Sequence, residues 1–323
     1  MAGTGVRGRF VWHELQTTDT KAAQSFYQKI MGWGTQAWEN DPSYVMWTAK
    51  GETVGGLTTP PAQAKAGGAP PSWLTYIGTP DVDGTVRLAL SRGASVLTPA
   101  QTVPSVGRFA VLADPQGAVF APFTPEPPPG ASTAPRPEAF SWHELVTTDP
   151  VAAFAFYNTL FGWEKTDSFD MGPESGVYQM YGFSGSSMGG IYRNPADMSA
   201  PPNWLPYALV PNADQAAARA TAAGGKMVNG PMEVPGGDRI AVIVDPQGAA
   251  FAVHSKAKAA ARKVAQPKAR KRRPKRKAAA PKRPARKKAP RRAAGKKRAP
   301  KRAARKKRSA RRSARRTPRR KRR

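Results

Sequence analysis

Two short segments hold the densest chemistry in this 323-residue chain: Trp12-His13-Glu14 and Trp142-His143-Glu144. In an extended strand the first and third residues of each share a face, while the histidine turns to the other. A carboxylate beside an indole suits a cationic or planar aromatic ligand, through charge and through contact with the ring face. The histidines, on the opposite face, read as satisfied, half-buried residues next to the helices. Neither glutamate is assigned a catalytic role, because a general base also needs an electrophilic partner or a second titrating group. The chain has no cysteine, which excludes thiol catalysis, disulfides and thiolate metal sites.

The elements that position these residues occur twice. Phe10-Val-Trp-His-Glu-Leu-Gln-Thr-Thr-Asp19 returns as Phe140-Ser-Trp-His-Glu-Leu-Val-Thr-Thr-Asp149, and Phe26-Tyr27 and Gly32-Trp33 return as Phe156-Tyr157 and Gly162-Trp163. Ala69-Pro-Pro-Ser-Trp73-Leu-Thr-Tyr76 matches Ala200-Pro-Pro-Asn-Trp204-Leu-Pro-Tyr207, and Asp114-Pro-Gln-Gly117 matches Asp245-Pro-Gln-Gly248. A nearly constant offset over so many anchors means two copies of one domain. The copies are expected at residues 1–125 and 138–255, with a stiff Pro-rich linker at 126–137. Within each copy an aromatic strand precedes a helix that Asp19 or Asp149 caps and Gly32 or Gly162 stops. In the first copy, strands are expected at Thr35–Glu39, Tyr44–Ala49 and Thr53–Thr58. After a Pro-rich crossover the pattern restarts with strand Trp73–Ile77, helix Val82–Ser91 and strands near Ser95–Leu97, Arg108–Leu112 and Val119–Phe123. Gly55-Gly56 and Gly189-Gly190 lack the lysine and helix of a phosphate cradle, so they predict bulges or close strand packing.

A strand-helix-strand-strand-strand unit performed twice, with Thr-Asp-helix-Phe-Tyr-Gly-Trp opening each copy and Asp-Pro-Gln-Gly before the last strand, resembles the vicinal oxygen chelate superfamily. Glyoxalase I, extradiol dioxygenases and bleomycin-resistance proteins belong to it. The resemblance implies an α+β fold of two tandem domains, each a pair of βαβββ modules forming a cup-shaped sheet. It also implies where metal ligands would lie. The first position falls on Trp12 and Trp142, and the last on Ala121 and Ala252. The restart strands offer no His, Gln or carboxylate, so no cofactor is expected. In a metal-free cup the candidate ligand-binding residues are Trp12, Glu14, Trp73 and Arg108 in one copy and Trp142, Glu144, Trp204 and Arg239 in the other. The leading expectation is a small-molecule binder. A metal-dependent lyase or dioxygenase and a DNA-compacting protein with structural domains are the alternatives.

Charge divides the chain again. Of its 52 Lys and Arg, 37 fall in residues 256–323, which contain no Asp, Glu or aromatic; residues 1–255 keep 15 against 21 acidic side chains. Such a polycation cannot offset the entropy of ordering and is expected to be disordered. Its Lys/Arg/Ala/Pro composition resembles the C-terminal tail of histone H1 and predicts non-specific binding to nucleic acid, DNA ahead of RNA or polyphosphate. The clusters Lys271-Arg272-Arg273, Lys287-Lys288, Lys296-Lys297, Lys306-Lys307 and Arg319-Arg320 would carry the phosphate contacts. Residues 1–10 have no signal-peptide core and no apolar run reaches membrane-spanning length. A cytoplasmic, nucleoid-associated protein with no membrane partner is therefore expected.

Overall fold

The computed structural model describes residues 5–126, 139–194 and 200–257. The Pro-rich linker from residue 127 and the tail from residue 258, with every nucleic-acid-binding position named above, lie outside the described residues. Among the described residues no helix is long and apolar enough to cross a membrane.

The first copy runs β1 (Phe10–Gln16), α1 (Thr20–Met31), β2 (Gly34–Trp38), β3 (Asp41–Ala49), β4 (Glu52–Thr58), α2 (Ala62–Ala66), β5 (Ser72–Gly78), α3 (Val82–Leu90), β6 (Ser95–Val103), β7 (Gly107–Ala113) and β8 (Val119–Pro125). The second runs β9 (Phe140–Thr147), α4 (Pro150–Phe161), β10 (Glu164–Asp170), β11 (Val177–Phe183), β12 (Ser186–Arg193), β13 (Asn203–Leu209), α5 (Ala213–Ala222), β14 (Lys226–Glu233), β15 (Arg239–Val244) and β16 (Ala250–Ser255). Each copy forms one eight-stranded sheet, in the order β2-β3-β4-β1-β5-β8-β7-β6 and its equivalent. Within a module the first and last strands pair in parallel, and the antiparallel pair β1–β5 joins the modules. The expected α+β architecture of two tandem cup-shaped sheets is observed.

Local chemistry sets the helix ends. Asp19 accepts from the Ala22 amide at 2.9 Å, and Gly32 closes α1 at φ 72°, a left-handed conformation that favours glycine. In α4, Asp149 caps and Pro150 occupies the first turn, where its missing N–H costs nothing. Two elements depart from expectation. The Pro-rich crossover contains α2, since Ala62-Gln-Ala-Lys-Ala66 is built of strong helix formers. Strand β6 continues past Leu97 to Val103, kept paired across Pro99 by two register shifts against β7.

The two copies are not beads on a linker. Phe26, Tyr27 and Ile30 of α1 share a core with Ala213, Ala216, Ala217 and Ala220 of α5 and with Phe251 and Val253 of β16. The reciprocal core joins Phe156, Tyr157 and Leu160 of α4 to Val82, Ala89, Leu112 and Phe120 of the first copy. Small alanines on α5 let the helices approach closely. Two polar relays cross the same boundary. Trp73 donates to the Tyr27 hydroxyl (3.0 Å), which donates to Asp245 (3.1 Å). Trp204 likewise donates to Tyr157 (3.0 Å), which donates to Asp114 (3.0 Å). Each Asp-Pro-Gln-Gly turn therefore receives a phenol from the other copy. Removing a single hydroxyl leaves a buried indole N–H without its acceptor and a carboxylate without one of its donors. Tyr27→Phe should cost about 1–3 kcal/mol in urea unfolding and still give one cooperative transition. Separate transitions for the two copies would contradict the shared cores.

At the centre of this interface His13 of β1 meets His143 of β9, with Nε2 atoms 2.7 Å apart. Phe10 stacks on His143 at 3.6 Å between centroids, and Phe140 lies 4.0 Å from His13. Strand alternation does place both histidines on the helix side, but they are buried rather than half-buried. Burial pushes both imidazoles down, His143 to about 3, and His143 further lowers His13. Both are neutral, so one donates and the other accepts.

Candidate functional site

The opposite, concave face of each sheet carries Trp12 and Glu14, or Trp142 and Glu144. The register of β5 against β1 sets Tyr76 across from Trp12 and Leu74 across from Glu14, so Tyr76 shares their face. From β3, Tyr44 lies over Gly56 of β4, where any β-carbon would collide with its phenol. The Tyr44 hydroxyl accepts from the Trp12 indole at 3.0 Å and donates to Glu14 Oε2 at 2.9 Å. Tyr76 donates to the same oxygen at 3.4 Å, and Gln16 to Oε1 at 3.0 Å.

The second cup repeats this arrangement more tightly. Trp142 donates to the Tyr178 hydroxyl at 2.8 Å, Tyr178 to Glu144 Oε1 at 2.7 Å, and Tyr207 to Oε2 at 2.6 Å. Gly190 makes room for Tyr178 as Gly56 does for Tyr44. Those glycines thus serve close packing, as expected, and bring a phenol onto the carboxyl. Val146 replaces Gln16, and Phe169 and Tyr192 stack on Tyr178 at 4.8 and 5.6 Å.

Glu14 and Glu144 are 7% and 8% exposed, and no cationic side chain hydrogen-bonds or ion-pairs with either among the described residues. Burial raises both carboxyls above the usual range, and the hydrogen bonds of Tyr44, Tyr76, Tyr178, Tyr207 and Gln16 offset it only in part. Burial and the nearby carboxylates push the four phenols upward, so they remain donors. Each cup is therefore a buried carboxyl set among phenols and an indole, with half-buried apolar walls from Phe109 and Val111 or Ile240 and Val242.

Four expected lining residues are elsewhere. Trp73 and Trp204 alternate to the helix side of their strands and belong to the buried cores. Arg108 and Arg239 also face the helices: Arg108 forms a bidentate pair with Asp83 of α3 at 2.7 and 3.0 Å, and Arg239 pairs with Asp214 of α5 at 2.5 and 2.7 Å. The missed members are Tyr44, Tyr76, Tyr178 and Tyr207. A signal existed for two of them, since Tyr76 and Tyr207 stand at equivalent places in the repeated Trp-Leu-x-Tyr segment.

A divalent ion needs three or four converging nitrogen or oxygen donors. The residues present do not fit one. Trp12 and Trp142 occupy the first position, Ala121 and Ala252 the last, and each cup offers one carboxyl, fewer than the three or four donors an ion needs. Among the described residues no group of three or more His, Asp or Glu could hold a metal.

Residues 9–121 and 139–253 each match the Glyoxalase/Bleomycin resistance protein/Dioxygenase superfamily. The protein named "Putative glyoxylase CFP32" of Mycobacterium tuberculosis is 34% identical over 248 residues, covering 75% of this chain and 92% of that protein. The anthracycline biosynthesis protein DnrV of Streptomyces peucetius is 29% identical over 259 residues, covering 76% and 92%. The Mn(II)-bound glyoxalase of Novosphingobium aromaticivorans has the same fold, with a TM-score of 0.54 at 16% identity over 79% of this chain and 84% of its own. With two matched segments, the relatives aligned along both and the sheet order repeated, this chain belongs to the glyoxalase/bleomycin-resistance/dioxygenase superfamily as a tandem, two-domain member.

Proposed function

We propose that each cup binds a small planar aromatic molecule bearing a basic nitrogen, and that the polybasic tail holds the protein on nucleic acid. The observation that carries the first part is the buried carboxyl of Glu14 and of Glu144, hydrogen-bonded to phenols that an indole in turn supports, but paired with no cation. A protonated amine entering the cup would supply that cation, and the aromatic walls would take the ring. The streptomycete relatives are named for anthracycline biosynthesis, and anthracyclines are planar polycyclic aromatics. The metal-dependent lyase or dioxygenase reading draws on relatives' names but needs donors that β1, β5 and β8 do not present. Stoichiometric manganese, nickel, zinc or iron in the purified protein would reverse this conclusion.

Titration of the protein with an amine-bearing anthracycline, followed by quenching of tryptophan fluorescence, tests the ligand class. Saturable binding is expected, weakened at least about tenfold at one site by Glu14→Gln and at the other by Glu144→Gln, the usual scale for losing one partner of a desolvated charge pair. Equal binding by the double variant would remove the carboxyls from the site. The tail supports the second part through its charge alone: it has no aromatics for base stacking, so its binding is sequence-blind.

A further inference from the structure

The two cups differ at one end. In the second, Ser141, Asp238 and His254 form a chain that the first copy lacks, its equivalent positions being Val11, Gly107 and Phe123. Ser141 is the extra residue of a bulge in β9, since Trp142 pairs with Tyr207 and Phe140 with Ala208. His254 lies two residues beyond Ala252, which belongs to the apolar cluster of this cup, so the imidazole shares that face. Ser141 Oγ is 3.0 Å from His254 Nδ1, and His254 Nε2 is 2.8 Å from Asp238 Oδ2. Asp238 also accepts from Lys256 Nζ at 2.9 Å and from the Ala257 amide at 2.8 Å.

These contacts dictate the proton positions. Burial works against the Asp238 carboxylate, but Lys256, the Ala257 amide and His254 outweigh it and bring Asp238 to about 2. An ionised carboxylate only accepts, so His254 donates from Nε2 and presents a bare lone pair at Nδ1. The Ser141 hydroxyl is then the donor to Nδ1. Burial lowers His254, so it is a free base at neutral pH. The His254 side chain is 8% exposed, whereas Ser141 is only partly buried, so the hydroxyl is the accessible end of the chain. Nucleophile, base and orienting carboxylate stand in the order that activates a serine, with the two imidazole nitrogens exchanged relative to the usual arrangement.

We propose that Ser141 is an acyl-accepting nucleophile, with His254 as its general base and Asp238 as the positioning residue, acting on small aryl esters in the second cup. Ser141 Oγ forms a bond to the ester carbonyl carbon while its proton passes to His254 Nδ1. The bond from that carbon to the phenolic oxygen breaks, and the proton moves from His254 to the departing oxygen. Water then attacks the acyl-serine, giving one proton to His254, which returns it to Ser141 as the carboxylic acid leaves and ionises to solvent. No oxidant or metal enters this balance.

An alkyl fluorophosphonate, which phosphonylates activated serines and spares the many lysines of the tail, is the direct probe on the full-length protein. Peptide mapping should place one adduct on Ser141, and Ser141→Ala should abolish it. His254→Gln and Asp238→Asn should each slow labelling at least tenfold at an unchanged thermal midpoint. If His254→Gln lowers the midpoint, the Asp238→Asn comparison decides, since Asp238 sits nearer the surface in the turn just before β15. An unlabelled wild-type Ser141, or labelling as fast in Asp238→Asn as in wild type, overturns the proposal. Anthracycline binding, read separately through tryptophan fluorescence, distinguishes failure of this activity from failure of the ligand reading.

Discussion

Full-length protein is expected to retard duplex DNA of random sequence at low salt, and a chain ending at Ala257 to leave it unretarded. The end point keeps the Lys256 and Ala257 contacts to Asp238 while removing nearly all of the polycation. The chain ending at Ala257 keeps 15 basic side chains plus Lys256 against 21 acidic ones and repels a phosphate backbone. Full neutralisation by the 37 cations of the tail would engage roughly 19 base pairs, at about one phosphate per 1.7 Å of duplex axis. Proteins making only 6–10 phosphate contacts already lose about 10³–10⁵ in affinity between 50 and 200 mM salt. Release should therefore be at least that steep, and scrambled and native-composition duplexes should bind alike. Gel retardation across a salt series measures both. Equal retention by the shortened chain would transfer DNA binding to the folded part.

Acid should destabilise the fold through its buried interface histidines. The sign follows from His13 and His143, whose folded-state values lie below the ordinary 6.5, His143 at about 3. Below pH 6.5 the unfolded chain binds protons that the native pair refuses. Stability is full above that value and is lost as pH falls toward the native values. Each histidine contributes up to about 1.4 kcal/mol per pH unit, so the pair could remove up to about 5 kcal/mol by pH 4.5. Glu14 and Glu144 act in the opposite sense, because their raised values let the native state take up protons first as pH falls toward 4.5. The two effects separate by variant. Glu14→Gln with Glu144→Gln should steepen the loss between pH 6.5 and 4.5, and His13→Gln with His143→Gln should flatten it. Urea unfolding at a series of pH values reads this directly, and the lysines and arginines of the tail do not titrate there. Stability unchanged from pH 7 to 5 in the Glu14→Gln, Glu144→Gln protein would mean that the imidazoles are not held neutral at the interface.

Much of the fold was legible because its causes are local. Asp19 before α1, Pro150 at the start of α4 and the glycines at 32 and 162 mark helix ends through capping and left-handed backbone. Period-two alternation separated Trp12 and Glu14 from His13. The site was less legible because a strand's own pattern does not say which of its faces meets which neighbour. Trp73 and Tyr76 differ by an odd number of positions and so face opposite ways. Choosing the tryptophan as the cup residue required knowing the β1–β5 register, which depends on residues about 60 positions apart. Arg108 and Arg239 were misplaced for the same reason, their partners Asp83 and Asp214 lying on helices that only the packed structure brings over β7 and β15.

By itself, the sequence determined that there are two copies of one unit, that each carries a Trp-x-Glu face, and that a polycation is segregated from an acidic body. These depend on composition, a constant offset and short-range periodicity. Tertiary structure alone decided that the copies interlock through shared cores, that His13 and His143 meet across 130 residues, and that Tyr44, Tyr76, Tyr178 and Tyr207 close on the glutamates. It also set Ser141 against His254 and Asp238, residues about 100 positions apart that converge because β9, β13 and β16 are neighbours in one sheet. Contacts of that kind arise from strand register and helix packing, where the free energy lies in surfaces buried between distant segments rather than in any segment's own pattern.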